Sequence, residues 1–509
     1  MVKGLKKPNS ATLKGLGCRK MTTPCRCETE NSSTNAWNVN FNNGNVNNNS
    51  KTSNSYRVRP VSTDRRGNVT AHDRFCYDDN MVTIDDMYEA YLDCRKNKRT
   101  SKGAILFEMR YFEGICELVR TVNDRTYKPL PSDCFIVTRP RKREVFAAQF
   151  RDRILHHYVA LRLEPLFEEH FNDRTFNCRK GKGQLYGINC LRDDIYQESG
   201  GYTEDCYIMT LDISGFFMSI NKSLVASIID DFVEKYYFGD DKEDVRWMCR
   251  IMVMQRPQDD CIRKTPLKAW NGLPRNKSLF TNDQDCGLAI GNLFVQLFAN
   301  WFMNDIDWWM DGRFRHGRYV DDIYLVDKDK QKLLNVVPVI REMFWNKGLT
   351  MNERKFYLQH YKKGVKFCGA VIKPNRIYTI TKTMRSFRHS VKMLNKISSY
   401  ADMSTYRGQR KLESAVSSVN SYLGLIGRNN EHDIIRKTLM EGLSQAAYRH
   451  IYIVHRNGKN MTKGIPYKVK VKAPYKKCKW DYNHARERFG NDRLRLHGFY
   501  RQRHYRHAS

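Results

Sequence analysis

The pattern of apolar and polar positions divides the chain into a polar beginning, a long globular middle and a basic end. Up to about residue 70, Asn, Ser, Thr and Lys dominate and no apolar period emerges, so the composition predicts an unstructured extension over residues 1–73. From Met81 the spacing changes. MYEAYLDCRKN and RDRILHHYVALRLEPLFEEHF, Arg151 to Phe171, repeat apolar residues at helical intervals. CYIMTLDIS, Cys206 to Ser214, is a short apolar run that ends in a turn, the signature of a buried strand. RYVDDIYLVD, Arg318 to Asp327, reads as two short strands folded around an acidic pair. GVKFCGAVI and RIYTITK, with Pro374-Asn375 between them, predict a hairpin. Residues 384–450 return to helical spacing.

Composition narrows the class. The 509 residues suffice for two to four domains, and 41% apolar content is that of a globular protein. The 88 Lys and Arg against 55 Asp and Glu leave a net charge of +33, which favours polyanionic partners because phosphate neutralisation releases condensed counterions. The 28 Tyr and 25 Phe supply rings on which bases stack. There is no apolar run of membrane-spanning length and no signal-peptide core, so no membrane role is expected. The 15 cysteines are scattered and never spaced CxxC, which suits a reducing cytoplasm. Cys18, Cys25 and Cys27 cluster near the start, either as a zinc knuckle or as incidental thiols. From Ile453 onward, sixteen Lys and Arg face three acidic residues, with aromatic rings interleaved, and a basic tail over 453–509 is expected to bind RNA phosphates and stack bases on Tyr475, Trp480 and Tyr482.

Two acidic sites stand out against this background: Asp212 at the end of CYIMTLD, and Asp321-Asp322 inside YVDD. Neighbouring side chains of a straight strand point to opposite faces, so two adjacent aspartates reach one site only at a tight turn. Three gathered carboxylates repel one another unless divalent cations neutralise them. Magnesium prefers oxygen ligands and leaves positions open for substrate phosphates. Two such ions, about 3.5–4 Å apart, activate an attacking hydroxyl and stabilise a leaving pyrophosphate. This constellation predicts nucleotidyl transfer.

The motifs resemble those of reverse transcriptases, in the family's order, over about residues 75–450. YVDD resembles the fingerprint that holds two catalytic aspartates, and LDISGFFMSI, Leu211 to Ile220, resembles the other metal motif. The resemblance implies two Mg²⁺ ions, with Mn²⁺ able to substitute, on Asp212, Asp321, Asp322 and the Ile213 carbonyl. It implies that Phe217 bars a ribose 2′-hydroxyl. Lys355, in GLTMNERK, would protonate pyrophosphate, and Arg143 and Lys142 would grip the dNTP triphosphate. VKFCGAV resembles the primer-grip hairpin, with Phe367, Cys368 and Gly369 at its tip. The implied fold is α+β, a right-hand polymerase. Fingers are expected over 74–200, a palm of antiparallel sheet backed by helices over 201–380, and a helical thumb over 381–452.

Within that superfamily, CRKGKGQ, SYLGL and GLAIGNLFVQLFAN, Gly287 to Asn300, are similar to enzymes of diversity-generating retroelements. The last of these places Ile290, Gly291 and Gln296 at the incoming nucleotide. Ile290 stands where many reverse transcriptases have Gln; the resemblance implies error opposite template adenine, and an apolar branch cannot make the amide's hydrogen bonds, so part of the geometric check is expected to be lost. Ala289 replaces the family's Pro, and Phe294-Val295 its Thr-Ser. The implied partners are a template-repeat RNA, the cDNA or primer strand and a small basic accessory protein, in the cytoplasm of a bacterium as a bacterial or phage-encoded enzyme. The implied role is mutagenic retrohoming into a target gene. A retron, antiphage or group II intron enzyme, or a non-catalytic RNA scaffold, are the alternatives. The tail's one cysteine, Cys478, and its three acidic residues do not supply a His/Cys endonuclease or an RNase H cluster. The resemblance also gives a reading of Asn35 to Val61, where NVNFNNGNVNNN packs eight asparagines into twelve residues. Asparagine codons are adenine-rich, and the segment is either a translated template repeat or a plain Asn-rich extension.

Overall fold

The computed structural model describes residues 81–472, apart from 97, 99–100, 139–140, 428, 430 and 456–466, together with the backbone of short strands within 25–71. The chain divides into two compact units, Met1–Asn80 and Met81–Ser509. In the first, Asn35–Asn40 pairs antiparallel with both Cys25–Glu30 and Asn45–Ser50, and Val61–Thr63 pairs with Val69–Ala71. Composition predicts no structure here, yet backbone pairing needs no apolar face, and FNNG between two of the strands carries the Asn-Gly hairpin signal. The other residues of the 1–73 extension, Cys18 among them, lie outside the described ones.

The second unit is an α+β fold built on a four-stranded antiparallel sheet. Its order is Arg315–Tyr319, Asp322–Asp327, Tyr207–Asp212, Tyr357–His360. Strand alternation explains how it is covered on both faces. Met209, Leu211, Ile323 and Leu325 pack into the core formed with the helices Phe150–His170, Lys222–Tyr236, Leu293–Phe302 and Lys330–Asn346. Ile208, Tyr324 and Val326 pack on the other side, against the helix Gln184–Glu198 and a small sheet that contains Phe367 and Ile372. The sequence reading of the apolar run, the YVDD hairpin and the long helix from Arg151 therefore holds, with the helix starting one residue earlier and carrying Pro165 inside.

Three details differ from the sequence reading. The expected single hairpin at GVKFCGAVI is a three-stranded meander, Val365–Phe367, Ala370–Lys373 and Arg376–Thr379. Its first turn is Cys368-Gly369, with φ of 46° and 83°, because two positive φ values make the tight turn that suits a hairpin's twist. The strand Cys261–Arg263 lies within the range expected for the palm yet pairs in parallel with Ser132–Val137, beside Arg143–Ala147, in the range expected for the fingers. The four helices from Thr381–Tyr400 to Gln445–His450 share a separate core, and this core continues past residue 452. Ile451–His455 pairs antiparallel with Tyr467–Val471, so the first part of the expected basic tail is a folded hairpin. Tyr475, Trp480 and Tyr482 lie outside the described residues. Among the described residues, no helix is long and apolar enough to cross a membrane, and the ten cysteines from Cys94 to Cys368 are free thiols.

One close approach holds the central sheet in place. A Cβ added at Gly317 would stand 2.5 Å from Phe176 and 2.6 Å from Tyr324, both fully buried. Gly317→Ala is expected to destabilise the fold by about 1–3 kcal/mol through overpacking. Denaturant unfolding checks it, and a wild-type midpoint would contradict the packing described.

Candidate active site

The site is built around a turn. Tyr319 pairs with Asp322 across the hairpin, which leaves Val320 and Asp321 as a two-residue loop. Val320 has φ of 60°, a region that a β-branched residue enters only under strain. The surroundings hold it there. The Val320 amide donates to Asn177 Oδ1 at 2.9 Å, and its carbonyl accepts from Arg318 Nη1 at 3.2 Å. Arg318 is fully buried and donates to both oxygens of the equally buried Asp307, from Nε at 2.8 Å and from Nη2 at 2.5 Å. Thr175 Oγ1 donates to Asp307 at 2.7 Å, and Asn300 Nδ2 donates to the Asn177 carbonyl at 2.9 Å. Removing one partner of such a buried pair costs about 3–5 kcal/mol, so the clamp is a fixed element.

The turn brings the carboxylates together. Asp322 pairs directly with Asp212 on the neighbouring strand, and Asp321 caps the loop. Ligand oxygens of Asp212, Asp321 and Asp322 lie within 4.8 Å of one another. Asp212 is buried, Asp321 half-buried, and Asp322 opens onto a cleft of about 2010 Å³. Desolvation by the protein packed around them, then the neighbouring carboxylates, push the Asp322 carboxyl up to about 7 and raise that of Asp321. Lys355 and Arg143 oppose the rise at Asp321. A tight oxygen-only donor set whose charges repel fits a hard divalent cation. Asp212 is fixed by Asn352, whose Nδ2 donates to Oδ2 at 2.9 Å and whose amide donates to the Asp212 carbonyl at 2.8 Å. Lys355, on the turn Glu353–Lys355, forms an ion pair with Asp212 Oδ1.

The same cleft gathers most of the other expected residues. Lys142, Arg143, Phe217, Ile290, Gln296, Cys368 and Gly369 line it, and so does Ile213, whose side chain is buried while its backbone bridges to Met351. Lys142 Nζ donates to the Asn271 carbonyl at 2.5 Å, and Arg143 is exposed. Phe217 packs its ring 5.2 Å from that of Phe216. Ile290 packs against an apolar cluster of Phe146, Met218, Leu279 and Ala289, and its carbonyl accepts from the Phe146 amide at 2.9 Å. Gly291 has φ of 128°, and a Cβ there would stand 2.7 Å from the Phe146 carbonyl, so the backbone needs glycine at this approach. Gly291 and Phe367 are not among the cleft lining, and Phe367 lies furthest from its expected role. It is buried, 5.0 Å from the Tyr324 ring, and anchors the meander from beneath, because its position in the strand points to the core while the turn after it faces the cleft.

Sequence reasoning missed Asn177, Arg318, Asp307 and Asn352. Isolated polar residues leave no periodic signal, and only their burial beside the turn reveals them. It also missed Glu144, whose buried carboxylate accepts from Trp270 Nε1 at 2.6 Å, Ser278 Oγ at 2.7 Å and the Leu279 amide at 2.7 Å. That ties the loop over the cleft to the strand that carries Arg143.

Residues 140–372 match the family described as reverse transcriptase (RNA-dependent DNA polymerase), and every cleft residue assigned above a role by resemblance falls inside this stretch. The stretch is a reverse transcriptase domain and spans a little less than half of the chain. No curated protein matches the sequence. Among solved structures, apo telomerase from Candida tropicalis truncated from its C-terminal domain aligns at 12% identity and a TM-score of 0.36, over 50% of this chain and 56% of that one. Telomerase from Candida albicans in complex with a TWJ fragment of telomeric RNA aligns at 12% identity and a TM-score of 0.37, over 64% and 59%. The chain thus spans less than two thirds of either.

Asn177→Ala removes one side of the clamp. Given a strain of about 1–3 kcal/mol at such a residue, it is expected to slow single-turnover nucleotide addition roughly 10–100-fold. Val320→Gly, which tolerates the left-handed backbone unaided, is expected to restore most of the rate in that background. A double variant as slow as Asn177→Ala would show that the turn geometry is not what Asn177 supplies.

Proposed function

We propose that this chain copies a template-repeat RNA into cDNA, with errors opposite template adenine, as the reverse transcriptase of a diversity-generating retroelement. The observation that carries the polymerase reading is the gathering of Asp212, Asp321 and Asp322 at one end of the cleft that Arg143, Phe217 and Ile290 also line. Asp212, Asp321 and Asp322 would hold two divalent cations, Mg²⁺ in this reading with Mn²⁺ as substitute. Once bound, these ions supply activation of the primer 3′-hydroxyl and neutralisation of the pyrophosphate.

The remaining work falls to the chain's own residues. Arg143 and Lys142 hold the triphosphate from the fingers side. Phe217 sets a ring where a ribose 2′-hydroxyl would stand, which selects deoxynucleotides by shape. Lys355, whose ammonium already sits at the carboxylates, gives a proton to the leaving pyrophosphate. The Cys368-Gly369 turn supports the primer end. Ile290 offers a branched apolar surface to the nascent pair, fixed by its carbonyl on Phe146 and by packing on Met218 and Ala289. No hydrogen bond from that side chain checks the pair, so discrimination rests on shape alone. The likeness of GLAIGNLFVQLFAN to the retroelement enzymes supports the subtype, and with it a small basic accessory protein as partner and the bacterial cytoplasm as setting.

Base-by-base sequencing of cDNA made on a defined RNA template tests the subtype. Substitutions are expected to concentrate opposite adenine, and Ile290→Gln is expected to lower them. Errors spread evenly over the four template bases would overturn the adenine-directed reading and leave the polymerase reading in place. For the sugar gate, Phe217→Ala is expected to raise ribonucleotide incorporation by about 10–100-fold, the range a shape-based pocket provides. Unchanged ribonucleotide use in a steady-state competition assay would remove Phe217 from that role.

A further inference from the structure

The hairpin of Ile451–His455 and Tyr467–Val471 is a built part of the thumb and plays no role in the reaction described above. Its inner face, with Ile451, Tyr467 and Val469, is buried in the core of the helices Thr381–Tyr400 and Tyr406–Ile426. Asn420 locks it to the second of these helices: its Nδ2 donates to the Val469 carbonyl at 2.8 Å, and its Oδ1 accepts from the Val469 amide at 2.9 Å. A single carboxamide thus satisfies both backbone groups of one strand residue, which rigidifies the hairpin against the helix.

The outer face is a basic ladder. Along YKVKV the residues alternate buried and exposed, so Lys468, Lys470 and then Lys472 stand out on one side. No ion pair engages these three lysines among the described residues. Tyr452, 41% exposed, lies directly across from Lys470, and Val454 across from Lys468. The Lys472 amide donates to the His450 carbonyl at 2.9 Å, and exposed Arg449 precedes it. Alternate residues of a strand repeat at about 6.7 Å, which places the ammonium groups in a regular row.

The hairpin also attaches to its helix away from most of the cleft lining. On the helix Tyr406–Ile426 the cleft is lined by Ser414, Ala415, Ser418, Tyr422, Gly424 and Leu425. At about 100° per residue, Asn420 sits well away from all of these except Gly424. Nucleic acid seated on the hairpin is therefore distinct from the duplex in the cleft.

We infer that the outer face of this hairpin is a second nucleic-acid surface, which holds a single-stranded segment of RNA through its phosphates while Tyr452 stacks a base. Cations in a row around one exposed ring are what a single strand requires: the charges follow the backbone and the ring accepts any base. A lipid surface would call for apolar side chains beside the lysines, and the face offers only half-buried Val454. An RNA, rather than another polyanion, follows from the polymerase reading above. The surface gives the enzyme a grip on template RNA outside the region being copied.

The test uses the full chain and two triple variants, K468Q/K470Q/K472Q and K468R/K470R/K472R. A short DNA-primed RNA in saturating excess fills the cleft, and the anisotropy of labelled oligouridylate is followed through a KCl titration. The wild type is expected to bind oligouridylate with the cleft filled. The Gln triple should bind about tenfold more weakly at moderate salt, with a log–log salt slope shallower by about 2, as three lost phosphate contacts on a single strand require. The Arg triple should keep the affinity and slope of the wild type. Extension of the short primer–template should be equal in all three, which shows that folding and the active site are intact. An unchanged slope in the Gln triple, or an equal loss in the Arg triple, would overturn the inference. Failure of the polymerase reading would instead show as no extension by the wild type.

Discussion

A β-branched residue held in the left-handed backbone region is the constraint on which the site depends. Two adjacent aspartates share one site only if the strand turns between them, and a two-residue loop does this at the least length. Val320 opens that loop at φ of 60°, a position better suited to glycine. The molecule holds it there by bonding both backbone groups of Val320, one to Asn177 and one to Arg318. Arg318 in turn needs Asp307, since a lone buried guanidinium would be far costlier than the pair. The polar group at Thr175, Asn300 and Asp307, set within an apolar core, exists because the turn above it does.

The electrostatics follow from the same geometry. A chain with a net charge of +33 concentrates three carboxylates within 4.8 Å, where desolvation and then repulsion by the neighbouring carboxylates raise the pKa of Asp321 and Asp322. Lys355 and Arg143 soften that repulsion from two sides, the first from the turn Glu353–Lys355 and the second from the strand Arg143–Ala147. The same two cations are suited to a substrate with a triphosphate, so the groups that stabilise the site are the groups that would handle the nucleotide. Glu144 and the Ile290 carbonyl bind the strand that carries Arg143 to the loops beside the cleft, which holds Arg143 on the same cleft as Asp321.

Much of this was legible in the chain, for specific reasons. The apolar run ending at Asp212 and the YVDD turn are strand signals that survive without context, and they delivered the three carboxylates. Phe217, Ile290 and Lys355 came from motif order rather than from any local property. The likeness of VKFCGAV to the primer-grip hairpin puts Phe367 at the primer, but the two-residue period of its strand turns it into the core beside Tyr324. YKVKV alternates with a strand's period, yet the lysines around it made the whole stretch resemble a solvated tail. The clamp residues had no signal at all: an asparagine and an arginine far apart in sequence become partners only when Arg174 to Asn177 is laid against Arg318.

The most direct measurement is extension of a DNA primer on an RNA template with Mg²⁺ and dNTPs, comparing the wild type with the Asp321→Ala/Asp322→Ala double variant, with the folding of both verified by circular dichroism. The account predicts cDNA from the wild type and none from the double variant, which should remain folded. Comparable cDNA from the double variant would contradict it, since the carboxylates gathered by the Val320 turn would then not be the seat of the chemistry.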